Sequence, residues 1–194
     1  MNFIREDFLD DLTICDQLID LYKNSNDKKP GCADGDGNIK PDFKKSTDLS
    51  LSPYNDQLGN VECLERYFVN LQIILQKYMN EYEYSNDVKP FTITESFNIQ
   101  HYKPNEGFFA WHCERAGSEL PMANRHLAWM TYLNDLTDEG GTEFYYQKLK
   151  VKPQKGKTVI FPVDWTHTHR GIVSKTQDKY IITGWFNFID KKES

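Results

Sequence analysis

The first regular pattern along the chain is helical. From Leu12 to Lys23 the apolar residues Ile14, Leu18, Ile19 and Tyr22 recur at helical spacing with acids on the other side, predicting a helix packed on the outside of a sheet. Between Asn24 and Lys45 the pattern dissolves into Gly, Pro, Asn, Asp and Lys, the composition of a loop long enough to cover a substrate. Its DGDGN stretch fails as a calcium loop. Counted from Asp34, Ile39 stands where a glycine is needed and Lys45 where a bidentate glutamate is needed. Ser46 to Ser52 reads as a short strand before Pro53, and after Asn60 the run VECLERYFVNLQIILQKYMNEY predicts the longest helix, with Tyr67, Phe68 and Tyr78 in the core.

From Phe91 the texture changes to strands. The runs FTITESFNIQHY, FFAWHCE, HLAWMTYLN, TEFYYQ, KTVIFPV, THTHRG and KYIITGWFNF are short and β-rich, separated by turns such as PNEG, DEGG and KPQKG. Strands at this spacing after two helices predict an α+β, mainly β architecture. The expected form is a double-sheet jelly roll, or double-stranded β-helix, with the N-terminal helices packed on one sheet and a pocket between the sheets. The 194 residues suit one domain, with a helical part over about 1–90 and a β core over about 91–190.

Charge and cysteine usage narrow the partners. A formal net charge of -6 gives no electrostatic footprint for a nucleic-acid backbone or an anionic membrane, so neither is expected. No apolar run approaches the length of a membrane span, and MNFIREDFLDD has acids where a signal peptide needs an apolar core. Cys15, Cys32, Cys63 and Cys113 are scattered without a CxxC pair. A reduced, cytoplasmic protein is the expectation; oligomeric state has no legible signal.

The unusual chemistry concentrates in two places. His167 and His169 lie two residues apart in THTHRG, so in a strand both imidazoles would face one way. Ten residues after His169, Lys179 opens a run in which Lys179, Ile181, Thr183 and Trp185 share a face. Upstream, FFAWHCE ends in His112 and Glu114, again two apart. Two imidazoles and one carboxylate with open positions form the facial set used by ferrous oxygenases. Alternation turns the Cys113 sulfur away from that set, where it reads as a packed thiol.

In their order these residues resemble the iron(II)- and 2-oxoglutarate-dependent dioxygenases of the prolyl 4-hydroxylase-like branch. The resemblance rests on Tyr102 in a Tyr-X-Pro segment, His112 and Glu114 as His-X-acid, Tyr132-Leu133-Asn134, Gly140-Gly141, His169-Arg170-Gly171, Lys179 and Trp185. It covers roughly residues 95–188 in detail. It implies Fe(II) held by His112, Glu114 and His169, with 2-oxoglutarate anchored by Lys179 and assisted by Tyr132 and Thr183. Tyr102 is a further cofactor-side residue, and Trp185 and His167 are candidates for the substrate pocket. Glu114 departs from the family's usual aspartate by one methylene, which bears on metal affinity and geometry.

The implied reaction decarboxylates 2-oxoglutarate to succinate and CO2 while hydroxylating a C–H bond, first of all of a prolyl residue in a peptide or protein, with a small molecule as the other substrate class. Ascorbate dependence follows by analogy alone. Two rival classes are a cupin-like oxygenase with His112, His167 and His169 as metal ligands and no 2-oxoglutarate, and a catalytically inactive binding module of the same fold. The first leaves Lys179 and Glu114 without a task. For His167, His101 and His126 ordinary structural hydrogen bonding is the plainer reading.

Overall fold

The computed structural model describes residues 1–32, 39–54 and 61–189. The chain order is β1 (Arg5–Phe8), α1 (Thr13–Asn24), β2 (Lys29–Pro30), β3 (Lys44–Lys45), β4 (Thr47–Leu51), α2 (Glu62–Glu81), β5 (Phe91–Thr92), β6 (Phe97–Tyr102), β7 (Gly107–Phe108), β8 (Arg125–Tyr132), β9 (Thr142–Phe144), β10 (Leu149–Val151), β11 (Lys157–Pro162), β12 (His169–Gly171) and β13 (Lys179–Phe188). One eight-stranded sheet runs β1-β11-β8-β13-β6-β4-β2, with β5 paired to β13. Smaller sheets, β10-β9-β12 and β3-β7, form the opposing layer. A two-bond bridge between His112 and His169 adds a further pairing beside β12.

Two cores follow from strand alternation. On the outer face Phe97, Ile99, Leu127, Trp129, Ile160, Ile182 and Phe186 meet the helices. There α1 contributes Ile14, Leu18 and Tyr22, and α2 contributes Leu64, Tyr67, Leu71, Ile74 and Tyr78, each set one helical stripe. Burying one such side chain is worth about 1.5–3 kcal/mol, so these stripes rather than local propensity hold the helices in place. Glu62 and Glu65 in the first turn of α2 suit its positive end. On the inner face Tyr102, Met130, Tyr132, Val159, Phe161 and Ile181 pack against Phe144 and Val151 of the small sheet. At the Gly-Gly turn, Gly140 takes φ +85°, and a Cβ on Gly141 would lie 2.1 Å from the Val151 carbonyl oxygen. Only a bare backbone lets β9 start so close to β10.

The double-sheet architecture with helices on one sheet is as expected, and so are both helices within a residue or two. Several local expectations need correction. FFAWHCE is strand only at Phe108, and its remainder is irregular chain held by backbone bonds from Phe109 and Ala110 to Phe43, by the His112 bridge and by Glu114. THTHRG is not one strand: residues 165–167 form a 3-10 turn, and only His169–Gly171 is extended. The expected loop over Asn24–Lys45 contains β2 and β3, and its 33–38 portion, with the DGDGN stretch, lies outside the described residues. Edge strand β1 was hidden because Arg5, Glu6 and Asp7 break any apolar alternation while the backbone pairs with β11. No helix among the described residues is long and apolar enough to cross a membrane.

Candidate metal centre

His112, Glu114 and His169 are brought together by backbone pairing. His112 N–H donates to the His169 carbonyl at 3.0 Å and His169 N–H to the His112 carbonyl at 2.9 Å. Glu114 N–H then donates to the Val163 carbonyl at 3.0 Å, which fixes the segment beyond the bridge. One ligand atom from each of the three residues lies within 4.8 Å of the others.

The ring orientations are set from behind. His112 Nδ1 bonds to the Ala110 carbonyl at 3.0 Å and His169 Nδ1 to the His167 carbonyl at 2.9 Å. A carbonyl only accepts, so each Nδ1 carries the proton and each Nε2 presents a lone pair inward. These lone pairs lie 3.6 Å (His112) and 3.2 Å (His169) from Glu114 Oε1. Three electron-rich atoms at such range repel unless a cation or a shared proton sits between them, so the donor set fits a divalent metal. Burial, then the neighbouring His169, pushes the His112 imidazole down toward its neutral form. Burial alone would raise the Glu114 carboxyl, but wherever a histidine Nε2 holds a proton in the metal-free site, its hydrogen bond to Oε1 keeps the carboxyl well below the usual range. The Phe108 ring stacks on His112 at 3.6 Å between centroids, tilted by 8°.

The anchor region lies on the same inner face. Lys179 pairs with Tyr102 across β6, and its Nζ sits over the rings of Tyr102 and Tyr132, 5.4 and 5.5 Å from their centroids. Among the described residues no carboxylate forms an ion pair with it, and burial pulls its pKa down to about 7. A buried ammonium without an anion is a site that an incoming carboxylate would complete. Tyr132 Oη exchanges a 2.7 Å hydrogen bond with Thr142 Oγ1, and Tyr102 Oη donates to Gln100 Oε1 at 2.6 Å. The Thr183 hydroxyl donates to the Trp129 carbonyl at 2.9 Å, so its proton is already in use.

His167 does not share the His169 face, contrary to the alternation argument. Its ring bonds through Nε2 to the Asn2 carbonyl at 3.0 Å and through Nδ1 to Thr166 Oγ1 at 3.0 Å, because the 3-10 turn rotates it toward the N-terminus. His101 pairs with Asp178 and His126 with the Ser85 carbonyl. Trp185 is not a bare pocket wall: its Nε1 donates to Glu114 Oε2 at 2.8 Å. Sequence reasoning passed over Arg125 and Glu95 altogether. Arg125 touches this site through Glu114 and Glu95 reaches it through Arg125, and their pairing across thirty residues leaves no local signal.

Residues 97–187 match the family model described as the 2OG-Fe(II) oxygenase superfamily. No curated protein matches the sequence. Among solved structures the chain is similar to a Pseudomonas putida prolyl-4-hydroxylase (TM-score 0.72, 15% identity, 96% of this chain and 94% of that one). It is also similar to a viral collagen prolyl hydroxylase of Paramecium Bursaria Chlorella virus-1 in a 2OG complex (0.68, 18%, 96% and 97%). A third is a Trichoplax adhaerens prolyl hydroxylase in complex with a hypoxia inducible factor oxygen degradation domain peptide fragment (0.75, 15%, 97% and 84%). Residues 97–187 therefore match the 2OG-Fe(II) oxygenase superfamily model, and the chain as a whole has the fold of these prolyl hydroxylases.

Proposed function

We propose that residues 1–194 act as one oxygenase domain that hydroxylates a prolyl residue of a peptide or protein, with Fe(II) and 2-oxoglutarate as cofactor and cosubstrate. The observation that carries this reading is the convergence of His112 Nε2, His169 Nε2 and Glu114 Oε1, each oriented from behind by a separate hydrogen bond. Fe(II) at these donors supplies oxygen activation coupled to decarboxylation of 2-oxoglutarate, with release of succinate and CO2. Lys179 receives the distal carboxylate of the cosubstrate, and the Tyr102 and Tyr132 rings on either side keep water from that ion pair. Tyr132, through its hydroxyl and that of Thr142, orders the same end of the pocket. His167 serves structure and holds no metal.

A prolyl substrate is favoured because these prolyl hydroxylase structures are matched over nearly the whole chain, one of them bearing a peptide. The thiols of Cys15, Cys63 and Cys113, outside any disulfide, accord with a cytoplasmic setting. The test is succinate formation from 2-oxoglutarate with Fe(II) over a panel of proline-containing peptides, with and without ascorbate, beside His169→Ala. Peptide-stimulated succinate and a +16 Da product on proline, both lost in His169→Ala, are expected. Peptide-independent turnover, or oxidation of a different residue, would overturn the prolyl assignment.

A further inference from the structure

Glu114 bears one methylene more than an aspartate, yet its Oε1 falls squarely beside His169 Nε2, and what holds Oε2 explains why. The Trp185 indole N–H donates to Oε2 at 2.8 Å. Indole nitrogen only donates, so this contact can hold nothing but an acceptor, and the carboxylate charge strengthens it. Arg125 Nη1 donates to the Glu114 carbonyl at 2.7 Å and lies 3.9 Å from Oε2. The Arg125 guanidinium covers the Trp185 ring at 3.5 Å. Behind it, Glu95 takes Arg125 in a two-pronged grip at 2.8 and 2.7 Å and accepts from Asn187 Nδ2 at 2.8 Å. The whole assembly is shielded: the side chains of Arg125 and Glu95 are only 13% and 8% exposed.

We propose that Trp185, Arg125 and Glu95 are positioning residues that tether Glu114 Oε2, so that Glu114 offers Oε1 alone to the metal. This brace is what lets a glutamate stand where the resemblance expects an aspartate. The proposal rests on the metal-centre reading above. A glutamate has an additional rotatable bond, and an untethered carboxylate at this distance can swing away or close on a metal with both oxygens. The second outcome consumes one of the positions that cosubstrate and dioxygen need. With Oε2 occupied by the indole, neither motion is open without breaking a buried, charge-assisted hydrogen bond.

The test is anaerobic titration of the full chain with Fe(II), and in parallel with Co(II) for its coordination-sensitive absorption. Four proteins are compared: wild type, Trp185→Phe, Glu114→Asp and the double variant. Phenylalanine keeps an aromatic body and removes only the donor. Trp185→Phe is expected to weaken metal binding ~10–100-fold and to shift the Co(II) spectrum toward higher coordination. An aspartate carboxylate is set back by about 1.5 Å and cannot reach metal and indole together. In the Glu114→Asp background, therefore, Trp185→Phe should change affinity by no more than about twofold, as for independent sites. Equal losses in both backgrounds, or wild-type affinity and spectrum in Trp185→Phe, would overturn the brace. Failure of the wild-type protein to bind either metal would overturn the metal centre itself, so the two failures are distinguishable. Should Trp185→Phe melt too early to titrate, Glu95→Gln attacks the brace from its far end. A weaker grip on Arg125 should lower metal affinity there too, and unchanged affinity would count against the proposal.

Discussion

The two faces of the eight-stranded sheet obey different rules. Toward the helices, polar groups are few and mostly satisfy one another: Tyr67 Oη bonds to Thr131 Oγ1 at 2.8 Å, and Thr131 to Thr158 at 2.7 Å. Among the described residues, Trp129 Nε1 is buried there without a hydrogen-bond partner. Toward the small sheets, the polar groups have their outer atoms tied down and their inner atoms left facing one another. Both Nδ1 atoms and Glu114 Oε2 are bonded, while both Nε2 atoms and Oε1 converge. Lys179 is buried, and among the described residues no carboxylate pairs with it. Satisfied burial marks a scaffold, whereas burial left incomplete in one direction marks a place built for something else.

Substitutions on either side should separate these roles. The largest effect is expected from His169→Ala, which removes one of three donors and should abolish Fe(II) binding in a titration while the helix-side core still melts cooperatively. Next, Ile74→Ala on α2 deletes a fully packed side chain and should cost about 2–5 kcal/mol in denaturant unfolding. Its Fe(II) affinity per folded molecule should not change. A loss of metal affinity there would show that the two faces are not independent.

Lys179 gives the comparison a pH signature. Its pKa falls to about 7 on folding from an ordinary 10.5. Below pH 7 the side chain is protonated in both states and the burial penalty is fully present. As pH rises, the folded protein releases the proton first, so the penalty fades between about 7 and 10.5 and stability from this group rises. Lys179→Met should therefore stabilise the metal-free protein by about 2–4 kcal/mol at pH 6, and the gain should shrink steadily toward pH 10. A pH-independent difference would mean that the lysine is not buried as a charge. The smallest effect belongs to His167→Ala, which should lose about 1 kcal/mol of stability with its Asn2 hydrogen bond and retain Fe(II). Loss of the metal in that variant would revive a three-histidine ligand set.

Much of this was legible in sequence because periodicity reports burial. The stripes of Ile14, Leu18 and Tyr22 and of Tyr67, Leu71, Ile74 and Tyr78 carry both helices, and the alternation in KYIITGWFNF places Lys179 and Trp185 on the inner face. The convergence of His112, Glu114 and His169 was legible from residue type and spacing, although FFAWHCE is not the strand that the spacing argument assumed. What stayed hidden is non-local or directional. Alternation could not anticipate the 3-10 turn that sends His167 toward Asn2. Glu95 and Arg125 read as ordinary charged residues, since nothing local to TESF or NRHL announces a buried clamp. Side-chain hydrogen bonds also changed roles: Thr183 donates to backbone, and Trp185 holds the Glu114 carboxylate rather than forming an open wall.

The most direct test of the inner face as a metal and cosubstrate site is anaerobic addition of Fe(II) and then 2-oxoglutarate, following the weak visible charge-transfer absorption of the chelated pair in wild type and Lys179→Ala. The account predicts a band that needs both additions, with a markedly higher 2-oxoglutarate concentration required in Lys179→Ala. Bound Fe(II) with no band in the wild type, or a band of equal affinity in the lysine variant, would contradict it.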